Sequence, residues 1–338
     1  MALKKPKSVV AIAAVSSLLL LAACGDDSSS SGPSDKVISE SDSEDNDSSS
    51  SSSVILSGDS HEESSSSFDS EKSSSSVTQN DGGMSSSSKV TEPAEGSSSS
   101  FADECSMLLD GESGWNWNVP KQCHFNSVIT YGTMTDSRDK KVYKTVKIGE
   151  QTWMAENLNY ADSTKTPSLL KSHWCYKHVA ANCDVTGLLY TWAAVIDSVK
   201  LATDADNPRD CGYGKGCAFQ TTVQGICPDG WHLPTKTEWE TLLTEVGGIS
   251  TAGKILKSQT GWNDNGNGTD DVGFSALPAG YRRYDDYFTN AGNYVFFWSV
   301  TEIDDYLTYS MSLDYFYENA ELDNSEKDFG HPVRCLKD

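Results

Sequence analysis

All nine Trp, 31 of the 33 aromatic residues and eight of the nine Cys in this 338-residue chain lie beyond position 104. A core needs apolar surface to bury, so only the last 234 residues can build one. Residues 25–104 hold 33 Ser and 18 Asp or Glu against three Lys. Serine blocks recur at 28–31, 48–53, 64–67, 73–76, 85–88 and 97–100, separated by acidic spacers with few apolar residues. Such a segment cannot offset its ordering entropy by burial. It reads as a disordered, self-repelling tether, spanning on the order of 50 Å or more by random-coil scaling. Of the net charge of -23, the tether carries -15 and residues 1–24 carry +3, which leaves -11 for the remainder. An acidic domain on an acidic stalk repels phosphate, which disfavours nucleic acid and anionic membrane surfaces as partners.

The first residues combine Lys4, Lys5 and Lys7 with an apolar run from Val9 to Ala23, too short for a comfortable membrane span. Leu21-Ala22-Ala23-Cys24, followed at once by polar sequence, resembles the bacterial lipobox. The resemblance implies that 1–23 is a signal peptide and that Cys24 is lipidated. A diacyl thioether plus an amide-linked chain would hold the protein stably in a bilayer. The expected location is the cell envelope, at the outer membrane and exposed at the surface. The expected organisation is leader 1–23, tether 24–104, a Cys-bearing extension 105–135 and a head at 136–338.

With Cys24 assigned to lipid, Cys105, Cys123, Cys175, Cys183, Cys211, Cys217, Cys227 and Cys335 remain, an even number in an exported chain, where disulfides are the default. Eight Cys allow 105 pairings. Sequence proximity suggests Cys105 with Cys123, Cys175 with Cys183 and Cys211 with Cys217, which leaves Cys227 with Cys335. That last bridge would contribute roughly 4 to 5 kcal/mol in the chain-entropy model, less any native strain. A zinc site of Cys211, Cys217, Cys227 and His232 is the sharper alternative, but its spacing matches no standard pair of CxxC knuckles.

Within the head, Val142 to Ile148, Gly149-Glu150 and Gln151 to Met154 read as a β-hairpin. Leu188 to Asp197 places Leu188, Leu189, Trp192, Val195 and Ile196 on one helical face. Thr235-Lys-Thr-Glu238 is a capping box, and Trp239, Leu242, Leu243 and Val246 continue a helix that Gly247-Gly248 should end. Beyond Gly273 the pattern turns to short strands at Phe274 to Leu277, Tyr294 to Ser299, Leu307 to Leu313 and Pro332 to Leu336. Two helices followed by short, mostly antiparallel strands make an α+β fold.

Cys227-Pro-Asp-Gly-Trp-His-Leu-Pro-Thr-Lys-Thr-Glu-Trp-Glu240 and Lys147-Ile-Gly-Glu-Gln-Thr-Trp-Met-Ala-Glu-Asn-Leu-Asn-Tyr160 resemble the Fibrobacter succinogenes major paralogous domain family. So do Gly187-Leu-Leu-Tyr-Thr-Trp-Ala-Ala194, Gly273-Phe-Ser-Ala-Leu-Pro-Ala-Gly280, Phe297-Trp-Ser299 and Val333-Arg-Cys335, over roughly 136–338. Val300 departs from the Ser expected before Thr301-Glu302. That family is uncharacterised in function and often sits on exported lipoproteins with serine-rich linkers. A wider similarity links His232-Leu-Pro-Thr-Lys-Thr-Glu-Trp-Glu240 and Gly330-His-Pro-Val-Arg334 to the C-type lectin-like fold of formylglycine-generating enzymes. It implies a scaffold and not an activity.

The chemistry of those enzymes needs a reactive Cys pair late in the domain, and after Cys227 the sequence holds only Cys335. No Gly-x-Ser-x-Gly elbow is present, no carboxylate dyad is singled out among Glu238, Glu240 and Glu245, and His232 reads as scaffold. Gly212, Gly214 and Gly216 lie between two Cys and read as a disulfide loop. The expectation is therefore a non-catalytic binding module, with a structural envelope protein or an enzyme of unrecognised chemistry as the alternatives. Asn263, Asn265, Asn267, Asp270 and Asp271 resemble the first half of an EF-hand loop and are candidate Ca²⁺ ligands, although Phe274 stands where the bidentate Glu belongs. Thirteen aromatics lie between Tyr281 and Tyr317, interleaved with Asp285, Asp286, Asp304, Asp305 and Asp314. Rings beside carboxylates suit a polysaccharide or surface-protein partner. The C-type lectin-like resemblance puts recognition between about Gly261 and Asp305. The expected ligand residues are Tyr284, Tyr287, Asp264, Asp270 and Asp271, with Phe296, Phe297 and Trp298 in the core.

Replacing Cys24 with Ala is expected to abolish incorporation of a clickable fatty acid in growing cells and to leave the protein released or unprocessed. Label persisting on the variant would exclude Cys24 as the lipidated residue.

Overall fold

The computed structural model describes residues 97–338. The leader at 1–23, Cys24 and the tether as far as residue 96 lie outside the described residues. Helix α1 (Ser97–Leu109) begins eight residues before the boundary expected at 105. Its half-buried residues Cys105, Leu108 and Leu109 follow helical spacing, and Cys105 is bonded to Cys123.

Strand β1 (Gly132–Thr135) leads to the expected hairpin of β2 (Val142–Ile148) and β3 (Gln151–Met154). Next come β4 (His173–Trp174), α2 (Ala180–Thr186), β5 (Leu189–Tyr190), α3 (Trp192–Val195) and α4 (Ser198–Ala202). After β6 (Trp231–His232), helices α5 (Lys236–Glu245) and α6 (Ile249–Leu256) follow. The chain ends with β7 (Ala279–Arg282), β8 (Phe288–Ala291), β9 (Tyr294–Glu302), β10 (Leu307–Asp314), β11 (Ala320–Glu326) and β12 (Leu336–Lys337). The fold is α+β. Its largest sheet has the order β1-β2-β3-β12-β6, and a second has the order β11-β10-β9. All strand pairs are antiparallel. The last strand lies between β3 and β6, with Leu336 opposite both Trp153 and His232.

Several local expectations are corrected. The helix expected over Leu188 to Asp197 survives only as the single turn of α3, capped by the Thr191 side chain. Leu189 and Tyr190 are instead a strand, because Tyr190 exchanges backbone hydrogen bonds with His331 and pairs with His173. The helix begun at the Thr235 capping box does end just before Gly247-Gly248, as expected, but a second helix follows at once. Both glycines adopt positive φ and turn the chain from α5 into α6. Gly253 sits inside α6 because a Cβ there would lie 2.1 Å from the Asn319 carbonyl, at the start of β11. Phe274 to Leu277 is not a strand, since Ser275 is left-handed and only Ala276 bridges to Lys257.

Trp192, Trp298, Tyr143 and Tyr190 fill one core, while Trp153, Trp239, Phe274 and Phe297 fill the other. Strand β9 divides them, with Val295 and Phe297 in one and Trp298 and Val300 in the other. Phe296, expected in the core, is only half-buried and stacks at the edge with Tyr294. Three of the core indoles find backbone acceptors: Trp192 donates to the Ser299 carbonyl (3.1 Å), Trp298 to that of Tyr190 (2.7 Å) and Trp262 to that of Ala276 (3.0 Å). The four disulfides are Cys105–Cys123, Cys175–Cys183, Cys211–Cys217 and Cys227–Cys335, which removes the zinc alternative.

Trp298→Ala is expected to cost roughly 3 to 5 kcal/mol in urea unfolding, as large buried aromatics do. Tyr284→Ala, at a residue 59% exposed, is expected to stay within about 0.5 kcal/mol of the parent. Equal losses for the two would contradict this placement of the core.

Candidate functional site

The loop expected to bind a ligand is covered from within the chain. Asp270 is fully buried, accepts from the Ser275 amide (2.7 Å) and hydroxyl (2.6 Å), and burial pushes its carboxyl up to about 6. Asn126 donates to the Asp270 carbonyl, and Tyr131 shares a hydrogen bond with Ser275. Asn263 accepts from the Trp115 amide and donates to Asn293, while Asn267 accepts from the Trp262 amide. These contacts engage the Asp270 carboxylate and the Asn263 and Asn267 amide oxygens within the fold, and Asn267 is nonetheless exposed. The extension 105–135, which supplies Trp115, Asn126, Tyr131 and β1, is thus part of the head. Asp264, Asn265 and Asp271 are exposed, and Asp271 borders a shallow depression with Glu245. Among the described residues no group of three or more His, Cys, Asp and Glu side chains is placed to hold a metal ion.

Tyr284 and Tyr287 are both exposed, as expected, but they keep different company. Tyr284 leans on Phe329, with ring centroids 6.4 Å apart. Tyr287 lies near Tyr176, whose phenol is pushed up first by burial and then by Tyr287. Between them, Asp286 pairs with Arg282 and His178.

A larger cleft lies at the turn between β9 and β10. Asp304 closes that turn by accepting the amides of Tyr306 and Leu307. Lys327, just past β11 and 1% exposed, donates to Glu302 (2.7 Å) and to the carbonyls of Asp304 and Asp305. Glu302 in turn accepts the amides of Cys217 (2.9 Å) and Ala218 (2.6 Å), and Gly214 donates to Asp305. These bonds lock the Cys211–Cys217 loop to the turn. Beside them a groove of about 640 Å³ opens, lined by Gln220, Thr221, Thr222, Thr301, Asp304 and Asp305 among others. That is the size of a small-ligand site. The groove's lining ring is Phe219, while Tyr213 and Tyr306, each about half exposed and borne by the same loop and turn, meet edge-on at 5.1 Å. By contrast, the cavity beside Glu156, Asn157 and Arg334 has a volume of only about 20 Å³.

The groove carries charge of both signs, since Arg209 lies over the lining ring of Phe219 (4.9 Å) with no ion-pair partner among the described residues. Glu302 and Lys327 neutralise each other, which leaves Asp304 and Asp305 unpaired with any cationic side chain among the described residues. The Tyr213 phenol is pushed up, first by Asp328, then by desolvation and by Glu326. His232, near a neighbouring depression, is held between Glu238 (2.9 Å) and Asp338 (2.7 Å). Those contacts raise its pKa against the cost of burial, so neither ring nitrogen is free to act as a base. Sequence reasoning missed the groove because Thr221 and Thr222 belong to no pattern. Tyr306, Asp304 and Asp305 did stand out in the aromatic and acidic run, while the Gly-rich disulfide loop gave no sign that it faces them.

A family model described as the Fibrobacter succinogenes major domain matches residues 146–337, which is 192 of the 338 residues. The chain belongs to this family. The matched span contains the groove, most of both cores and the closing Val333-Arg334-Cys335 segment, whereas Tyr143, β1 and the extension precede it. A search of curated proteins and a search of solved structures each found no match.

His331 is buried against Trp298 (4.4 Å), neither of its ring nitrogens has a partner among the described residues, and burial pushes it down to about 3. Its ordinary value is 6.5, so as pH falls below that the unfolded chain takes up a proton that the folded chain refuses, and stability drops. His124, pushed down to about 4 by burial, acts in the same direction. Asp270 acts oppositely between 3.8 and about 6, because its folded form takes the proton first. His331→Leu is expected to remove up to about one proton, roughly 1.4 kcal/mol per pH unit, from the acid slope of stability between those limits. An unchanged slope in urea titrations would show that His331 is protonated within the folded head.

Proposed function

We propose that this chain is a lipid-anchored surface protein whose head is a non-catalytic binding module for a glycan. The observation that carries this reading is the groove between the Cys211–Cys217 loop and the β9–β10 turn. It combines hydroxyl, amide and carboxylate groups with the ring of Phe219, and the exposed rings of Tyr213 and Tyr306 stand on the two segments that border it, groups that hydrogen-bond to sugar hydroxyls and stack on sugar faces. Calcium is not required by this arrangement. Every Cys in the head is in a disulfide, which favours a scaffold over thiol chemistry. We assign the head to the C-type lectin-like fold on its motifs and on the return of β12 to a place between β3 and β6. The lipobox-like Cys24 and the serine tether would place this head outside the envelope, at the outer membrane.

Binding of the whole chain to an array of polysaccharides and oligosaccharides tests the reading. A reproducible hit is expected, lost by at least about tenfold in Tyr306→Ala and in Tyr213→Ala, the size of one lost stacking contact, with the melting temperature unchanged. Turnover of any glycan would make the head an enzyme. Binding that ignores both Tyr changes would move the site elsewhere.

A further inference from the structure

A second pocket lies away from the groove, at the opposite end of β10, where the turn between β10 and β11 folds over α6. The Lys254 amide donates to the Glu318 carbonyl there, which ties the turn to the helix. The pocket has a volume of about 140 Å³, below the range of a whole small-ligand site, so it suits one terminal group rather than a chain. Its walls include Tyr315, Phe316 and Tyr317 on the turn, Asn265 and Asn267 on the loop that follows Trp262, and Lys257 just past α6. Phe316 is 72% exposed, and its ring meets that of Tyr317 edge-on at 5.0 Å. Lys257 sets this pocket apart. Its side chain is buried, and its ammonium donates to the carbonyls of Asp314 (2.8 Å) and Tyr317 (2.9 Å), two acceptors for three N–H groups. The two carboxylates that face it are committed elsewhere. Glu318 pairs with Lys254 (2.7 Å), and Asp314 accepts the Phe316 amide. Lys327, the other buried lysine, has the carboxylate of Glu302 at 2.7 Å, whereas Lys257 has no ion-pair partner among the described residues.

A buried cation is ordinarily matched by an anion. Burial pulls Lys257 down to about 8, and Asp314 and Glu318 only oppose that shift from a distance, so the group is still charged at neutral pH. A ligand carboxylate in the pocket would supply the counter-charge and accept the third N–H, while the rings beside it offer faces for the apolar side of a sugar. An amine would be repelled by Lys257, and a neutral sugar would leave its charge unmatched. The geometry points to a second binding site on this head, for an acidic sugar of the uronic type, with the carboxylate at Lys257 and the sugar ring against Phe316 and Tyr317. The net negative charge of the head opposes such a ligand only within a screening length of about 8 Å at physiological salt, whereas the contact with Lys257 is direct. The site is independent of the groove, and no covalent step is involved.

Calorimetry on the whole chain at neutral pH and physiological salt compares a galacturonic acid trimer with its fully amidated counterpart, which keeps the shape without the charge. The acid is expected to bind about tenfold tighter, the yield of one charge-assisted hydrogen bond. Lys257→Met should bring the two to the same level, Phe316→Ala should weaken both, and Tyr306→Ala, beside the groove, should change neither. Should Lys257→Met fail to fold, the parent chain read against pH decides the same question. A bound carboxylate favours the protonated lysine, so the preference should hold below about 8 and fade above it, over about one pH unit for a tenfold preference. The neighbouring groups do not titrate there: Lys254 is raised and Glu318 lowered by their mutual pairing, and Tyr294, bonded to Asp314, is pushed up to about 12. Equal binding of acid and amide overturns the inference. So does an acid preference that survives Lys257→Met or persists unchanged to about pH 9.5, because another cation would then be responsible. Acid binding that is lost in Tyr306→Ala places the ligand in the groove, which overturns this site and leaves the glycan reading standing. If neither trimer binds, this site falls, and the groove is still judged by its own array.

Discussion

A guanidinium with nowhere to go but the protein interior organises this head. Arg334 is 1% exposed and donates to Asn157 (2.6 Å) and to the carbonyls of Met154 (3.0 Å), Phe274 (2.7 Å) and Ser275 (3.1 Å). It also lies over the rings of Phe274 and Phe297. A buried charge is tolerated only where such partners are complete, so the group fixes hairpin, loop and core side chains relative to one another. Burial pushes its pKa down, and Glu156 and Asp270 oppose that shift. Its neighbours complete the closure. Val333 and Cys335 accept the amides of Leu158 and Met154, and Cys335 is bonded to Cys227. Asp270 thus serves the frame, by shaping the loop whose carbonyls Arg334 needs.

The groove uses the same device at the edge of the fold. Lys327 is buried as completely as Arg334, and the carbonyls of Asp304 and Asp305 are among its acceptors. Satisfying that ammonium sets the backbone of the turn, and the turn sets the position of Tyr306. Glu302 carries the constraint across to the disulfide loop and so to Tyr213. The groups proposed to bind therefore sit beside a short loop held in shape by a buried ion pair, which would limit the entropy a ligand has to remove on binding. Such pairs add little net stability in general. Here the pair specifies geometry.

Much of the frame was legible in the sequence, and for physical reasons. The β2–β3 hairpin, the Thr235 capping box, the strands at β9 and β10 and the bridge partners of Cys227 and Cys105 all follow from local periodicity or spacing. What local pattern could not show was the effect of distant partners. Leu188 to Asp197 has a helical stripe, yet His331 draws Tyr190 into a strand. The Asn- and Asp-rich loop has the composition of a cation site, yet Trp115, Asn126 and Tyr131 are folded onto it from about 140 residues away. Tyr284 was legible as exposed, whereas its separation from Tyr287 in contacts was not, because strands β7 and β8 were not expected between Gly261 and Tyr294. The groove needed two loops 85 residues apart in sequence to meet through Glu302, which no motif announces.

If Arg334 closes a single frame that carries both cores, and Lys327 holds a separate rim, native-state hydrogen exchange of the whole chain will divide along that line. The amides of Leu158 and Val300 in one core and of Trp239 and Ala276 in the other should exchange only through global opening, with one shared free energy. Those of Gln220, Thr221 and Thr222 should exchange far faster by local opening. Arg334→Met should lower the protection of both core groups together and leave the rim amides as they were. Two cores that open at different free energies, or rim amides as protected as those beside Cys335, would contradict this account.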